Sequence, residues 1–128
     1  MFRDSGAFSS FSVDDTEAAR HFYADVLGLD ATMDRMGFLS VNLHGGGRLM
    51  MYAKPDHQPA SFTVLNFEVP DIEQAVDALA TAGVTMVRYP PSEYMQQDEK
   101  GISRDPDGPA VAWFTDPAGN TVGVIQQR

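Results

Sequence analysis

The stretch F-S-V-D-D-T-E-A-A, residues 11–19, returns as F-E-V-P-D-I-E-Q-A at residues 67–75. Phe, Val, Asp, Glu and Ala recur at matched places in the two copies. Each copy follows an alternating run and opens a helical pattern. A long-period repeat in which each copy is one supersecondary unit points to two modules of one design.

Working outward from the first copy, residues 7–13 read as a strand. Asp15 is suited to cap a helix, because its carboxylate can accept from the free N–H groups of the first turn. Ala18, Ala19, Phe22, Tyr23, Val26 and Leu27 make one apolar stripe at helical spacing. Gly28 can take the left-handed conformation that ends a helix. Strands are expected at about 30–34, 37–43 and 48–53, with H-G-G-G (44–47) joining the last two.

The second copy predicts the same order. Residues 62–69 read as a strand. Pro70 bars helix from the residue before it, and Asp71 caps, with Gln74 placed for a capping box. Ile72, Ala75, Val76, Leu79 and Ala80 form the buried stripe, which Gly83 closes. Strands are expected at about 84–89, 109–115 and 121–126. The turn between the last two is D-P-A-G-N (116–120), where Pro117 presets φ and Gly119 tolerates positive φ.

The organisation is therefore βαβββ twice: module 1 over about 6–54, a linker at 55–61 and module 2 over about 62–128. The expected class is α+β, with helices on the outside of a curved, mostly antiparallel, cup-shaped sheet. Residues 90–108 form a long polar connection that breaks the symmetry, a length that suits either a lid or a plain surface loop.

Asp and Glu number 18 against 9 Lys and Arg, for a net charge of −9. That balance opposes binding to nucleic acid and to anionic membrane surfaces. Without cysteine, thiolate catalysis, zinc–thiolate clusters and disulfides are excluded. No apolar run approaches the ~20 residues of a membrane span. The first residues carry no basic segment followed by an apolar run, so the expected location is cytoplasmic.

H-F-Y-A-D-V-L-G-L (21–29), W-F-T-D-P-A-G-N (113–120) and the paired modules resemble the vicinal oxygen chelate superfamily over essentially the whole chain. That group includes glyoxalase I, bleomycin-resistance proteins, fosfomycin-resistance enzymes and extradiol dioxygenases. The resemblance implies a divalent metal in the cup of metal-using members, held by His, Glu or Gln on the first and last strands of each module. Carried over position by position, those places fall on Phe8, Val64, Gly123 and Met51, or Met50 if the alignment slips by one. Phe, Val and Gly offer no side-chain donor, and a thioether suits copper(I) better than Mg²⁺, Mn²⁺ or Fe²⁺. The expectation is a member of this fold with no metal and no cofactor.

The histidines do not replace the missing set. His21 lies on the polar side of its helix, His44 at a hairpin tip and His57 in the linker, so no two share a face. If Phe8 and Val64 face the cup, alternation places Ser10, Ser12, Asn66 and Glu68 there too. An inward carboxylate beside apolar neighbours can serve as a general base, which makes Glu68 the catalytic candidate. Asn66, Ser10 and Ser12 are candidate hydrogen-bond contacts, and Tyr89, Tyr94 and Trp113 candidate aromatic walls. No Walker loop, dinucleotide fingerprint or nucleophile elbow is present. The expected function is binding or sequestering a small, partly apolar or aromatic molecule, with a homodimer as the working form. The alternative is an enzyme of this fold, using either an unrecognised metal site or Glu68 as base.

Overall fold

Both helices start on an aspartate, as the repeat predicts, and with near-identical backbone: φ −143°, ψ 108° at Asp15 and φ −140°, ψ 106° at Asp71. Asp15 accepts from the N–H groups of Glu17 and Ala18, and Asp71 from that of Gln74. Each such cap is worth about 1 kcal/mol. The computed structural model describes residues 1–127, in two units that divide after Pro59.

In the first unit, β1 (Ser9–Val13) leads to α1 (Thr16–Arg20), then β2 (Asp30–Met33), β3 (Leu39–Asn42) and β4 (Arg48–Ala53). The sheet order is β1-β4-β3-β2, with β1 parallel to β4 and the other pairs antiparallel. In the second unit, β5 (Thr63–Val69) leads to α2 (Ile72–Thr81), then β6 (Ser103–Arg104), β7 (Ala110–Thr115) and β8 (Thr121–Gln126). Its order, β5-β8-β7-β6, repeats the first with the same parallel pair. The class is α+β, two βαβββ modules, and each sheet is mixed. Among the described residues no helix is long and apolar enough to cross a membrane.

Alternation sorts each sheet into two faces. The helix-side face of the first carries Val13, Leu39, Val41, Leu49 and Met51, all at most 1 % exposed. That of the second carries Ala112, Phe114, Val122 and Val124, with Ile72 and Val76 of α2 buried as well. Burying aliphatic side chains of this size contributes about 1.5–3 kcal/mol each.

Three departures from the sequence reading have local physical reasons. Past Arg20 the first helix widens into a π-helical run, His21–Val26, with the Leu27 N–H donating to Phe22 O at 2.9 Å. A regular helix turns successive side chains about 100° apart. The wider turn accompanies burial of two successive rings, Phe22 and Tyr23, at 9 % and 0 % exposure. They meet edge to face at 5.2 Å.

The strand expected at 84–89 shrinks to one bridge, Met86 with Phe114, and the ladder on β7 resumes only at Ser103 and Arg104. Pro90 and Pro91 have no N–H to give a ladder, so pairing cannot run through them. The chain leaves the sheet there and comes back as β6, inside the segment read as a long polar connection. Finally, β5 carries a register shift between Thr63 and Leu65, a bulge that bears on the site.

D-P-A-G-N forms its turn as expected, and the same turn occurs twice more. In D34-R-M-G-F38, D98-E-K-G-I102 and D116-P-A-G-N120, the Asp Oδ1 accepts the N–H of the third and fifth residues at 2.8–2.9 Å. The glycines stand at φ +85°, +85° and +86°. A type I turn followed by a left-handed residue is a standard three-residue hairpin connection. The D-P-A-G-N motif is thus a structural turn here, its aspartate 5 % exposed and its asparagine 2 %.

Candidate functional site

The faces turned away from the helices hold most of the site candidates, and each unit presents its own. In the first, the strand register puts Ser10 beside Met50 and Ser12 beside Tyr52. Phe8 is half exposed, with the Arg48 guanidinium 4.6 Å from its ring centroid. Met51 does not belong to this face. It pairs with Phe11 and Leu39 on the helix side and is 0 % exposed, so Met50 takes its place.

His57, which the sequence reading kept in the linker and apart from the site residues, comes to Ser12. The turn after β4 is tied back by the Lys54 N–H to Val13 O and the His57 N–H to Lys54 O, both at 3.0 Å. This brings the His57 Nδ1 to 2.6 Å from the Ser12 Oγ, with the pair half buried. The contact spans 45 residues, and no local pattern announces it.

In the second unit, Asn66, Gly123 and Trp113 sit side by side across β5, β8 and β7. A Cβ at Gly123 would overlap the Asn66 Oδ1 and lie 3.3 Å from Asn66 Cγ and Thr63 Cγ2. The Asn66 carboxamide therefore lies over the glycine. The bulge at Val64 turns Thr63 onto this patch as well, so Val64 shares its expected place with Thr63. Tyr89 packs on Trp113, ring centroids 5.3 Å apart at 85°.

Glu68 stands near the end of β5, exposed, within 3.4 Å of the Gln127 Nε2. The burial that the general-base reading relies on is not found there. Tyr94 is 87 % exposed at the loop tip, and its ring joins none of the other candidates. The groups with shifted titration lie elsewhere, in surface ion pairs. The Arg20 hydrogen bond lowers Glu17, the Lys54 hydrogen bond lowers Asp56, and the Asp77 hydrogen bond raises Lys100.

The residues at the positions the resemblance assigns to metal do not fit a divalent ion. Phe8, Val64 and Gly123 bring no donor, Met50 brings only a thioether, and the space at Gly123 is taken by a neutral amide. Among the described residues no three His, Asp or Glu side chains converge as ligands. What the second face does offer is a flat indole and, over Gly123, a carboxamide able to donate and accept. An apolar wall with a few convergent polar groups is the usual make-up of a small-molecule site.

A model of the Glyoxalase/Bleomycin resistance protein/Dioxygenase superfamily matches residues 8–124. No curated protein matches. The antibiotic binding protein TnmS3 from Streptomyces sp. CB03234 is 23 % identical over 98 % of both chains, with a TM-score of 0.69. Lactoylglutathione lyase from Agrobacterium tumefaciens is 21 % identical over 95 % of this chain and 93 % of its own, TM-score 0.68. The fosfomycin resistance protein FosX from Listeria monocytogenes is 9 % identical over 98 % and 94 %, TM-score 0.72. At such identities these likenesses establish the fold and leave the activity open.

Proposed function

The chain belongs to the Glyoxalase/Bleomycin resistance protein/Dioxygenase superfamily, and from that premise we propose that it binds a small, planar, partly apolar molecule on the open face of the second unit, without a metal. One observation carries this reading. Where the resemblance puts a metal-binding carboxylate, this chain has Gly123, covered by the Asn66 carboxamide and flanked by Trp113. That exchange removes a charged donor and leaves a surface suited to a flat ring. The described role of TnmS3 as an antibiotic binding protein supports it, since the same fold serves there as a binder.

The test uses full-length protein purified without a histidine tag. Metal analysis is expected to find no stoichiometric Mn, Fe, Ni or Zn. Planar aromatic ligands are expected to quench the single tryptophan saturably and to be recovered unchanged. A stoichiometric divalent ion that is needed for binding would overturn the proposal. The working form is taken to be a homodimer, for which the exposed Phe8 and Phe62 are the support, and light scattering gives the mass that decides it.

A second reading, turnover, is favoured by the Ser12–His57 contact at 2.6 Å. A hydroxyl bonded to an imidazole is the minimal nucleophile–base pair. Its check is hydrolysis of activated esters that disappears in both Ser12→Ala and His57→Ala.

A further inference from the structure

The segment between Met86 and β6 is held at its root by one side chain. The Gln97 Oε1 accepts the Tyr89 N–H at 2.8 Å. Its Nε2 donates to Val87 O at 3.0 Å and to Gly101 O at 2.8 Å. A carboxamide carries the same donor and acceptor as a peptide group, so Gln97 stands in for an edge-strand partner of residues 87–89. The Val87 N–H in turn donates to Trp113 O at 2.7 Å. The backbone leading to Tyr89 is thus held twice, by β7 and by an amide from its own loop.

The surroundings of Gln97 strengthen the grip. The Asp98 turn closes directly after it, and Ile102 is 1 % exposed where the chain returns to the sheet. The Arg88 Nη1 donates to Asp98 O. Pro90 and Pro91 follow Tyr89 and fix φ on the way out. Tyr89 packs on Trp113 at 5.3 Å, whereas Tyr94 at the tip is 87 % exposed.

We propose that Gln97 is the latch that fixes Tyr89 as the aromatic wall of the open-face site, and that the site selects planar rings bearing an amide-like substituent. The inference rests on the binding reading above for its ligand, but the latch stands on its own hydrogen bonds. A ring stacked beside the Trp113 indole brings its substituent to the Asn66 carboxamide over Gly123, and an amide answers both its donor and its acceptor. The loop tip is dispensable for this selection and the root is not. Gln97 is a positioning residue that acts through Tyr89.

Gln97→Glu is the decisive variant in the full-length protein. It keeps the shape and the acceptor toward the Tyr89 N–H but sets a carboxylate against two carbonyls. The probes are 2-naphthamide and its amide-free counterpart 2-methylnaphthalene. Gln97→Glu is expected to speed exchange of the Tyr89 amide at least tenfold, to shift the emission of the single tryptophan to the red, and to weaken 2-naphthamide about tenfold. Tyr89→Ala is expected to weaken 2-naphthamide similarly while Val87 and Gly101 keep their environments. Tyr94→Ala is expected to change none of these readouts. Should Gln97→Glu fail to fold, Gln97→Ala gives the same readouts, since it removes the donor to both carbonyls and the acceptor for the Tyr89 N–H.

Unchanged Tyr89 exchange and emission in both Gln97 variants would overturn the latch. Equal binding of the two naphthalenes to the wild type would overturn the ligand class. If the latch readouts move but neither naphthalene binds the wild type, the binding reading fails and the latch survives it.

Discussion

The Asn66 carboxamide lies over Gly123 of the neighbouring strand, in the space a Cβ at that position would need. Gly123 is not among the glycines with positive φ, so room rather than backbone freedom demands it. Gly123→Ala should therefore fold. Removing a glycine from a strand gains about 0.5–1 kcal/mol, and rotating Asn66 out of the way gives up a similar amount. Urea unfolding should find the two proteins within about 1 kcal/mol. Binding of planar ligands should fall at least tenfold, because the carboxamide no longer covers Gly123, the strand neighbour of Trp113. Adding Asn66→Ala to Gly123→Ala should restore room without restoring affinity.

What could be read from the sequence was what neighbouring residues decide. The Asp15 and Asp71 caps, the helix ends at Gly28 and Gly83 and the D-P-A-G-N hairpin are local chemistry, and all form as read. The expected strand at 84–89 failed for a reason half visible in P-P at 90–91. The other half, Gln97 serving as the edge partner, depends on a contact eight residues away and could not be read off periodicity. The π-helical run reflects the packing of Phe22 and Tyr23, which the apolar stripe alone does not convey. On the strands, alternation placed Ser12 and Asn66 on the faces turned away from the helices, where the register has them. It misplaced Met51, since the choice between Met50 and Met51 turns on a one-residue register. It missed Thr63, because a bulge has no sequence signal here, and His57, because a long turn delivers it.

The two caps share one backbone geometry, although Asp15 holds two N–H groups and Asp71 one, so the loss of either should fall in the same range. Asp71→Ala is expected to destabilise by about 1 kcal/mol, read as a lower urea midpoint at unchanged slope. Asp71→Asn should retain most of the stability, since its side-chain oxygen can still accept from the Gln74 N–H. Asp15→Ala should behave in the same way. A loss confined to one of the two positions would mean that the repeat is one of sequence and not of energetics.

Acid should weaken the fold partly through Glu17. Its carboxylate accepts from the Arg20 Nε at 2.8 Å, and this hydrogen bond holds it below its ordinary value of 4.5. A lowered folded value means that the unfolded chain binds the proton more readily. The contribution is therefore complete above about pH 4.5 and is lost as pH falls through the folded value. Asp56, lowered by Lys54, has the same sign. Both pairs are exposed, so the effect is small and screened by salt. Arg20→Gln should flatten the Glu17 part of the stability–pH curve between pH 5 and pH 3, and 0.5 M salt should do the same to the wild type.

The three D-x-x-G turns whose aspartate accepts the N–H groups of the third and fifth residues make one design tested at three depths. In each, the aspartate satisfies two backbone N–H groups of its own loop, but Asp116 is 5 % exposed while Asp34 is exposed. At Asp34 water can replace the lost carboxylate, so Asp34→Ala should cost no more than about 1 kcal/mol. At Asp116 the N–H groups of Ala118 and Asn120 and the Asn120 Nδ2 all turn to the same carboxylate, and Asn120 is itself buried. Removing it strands donors away from water, which costs about 1–3 kcal/mol for the groups left unmet. Asp116→Ala should thus destabilise clearly more than Asp34→Ala, with Asp98→Ala between them because Asp98 is half buried. Asp98 adds a second readout: it closes the loop behind Gln97, so its loss should also loosen Tyr89 and shift the Trp113 emission. If the three variants lose equal stability, burial is not what grades these turns, and the structural role assigned to the D-P-A-G-N motif would have to give way to a functional one.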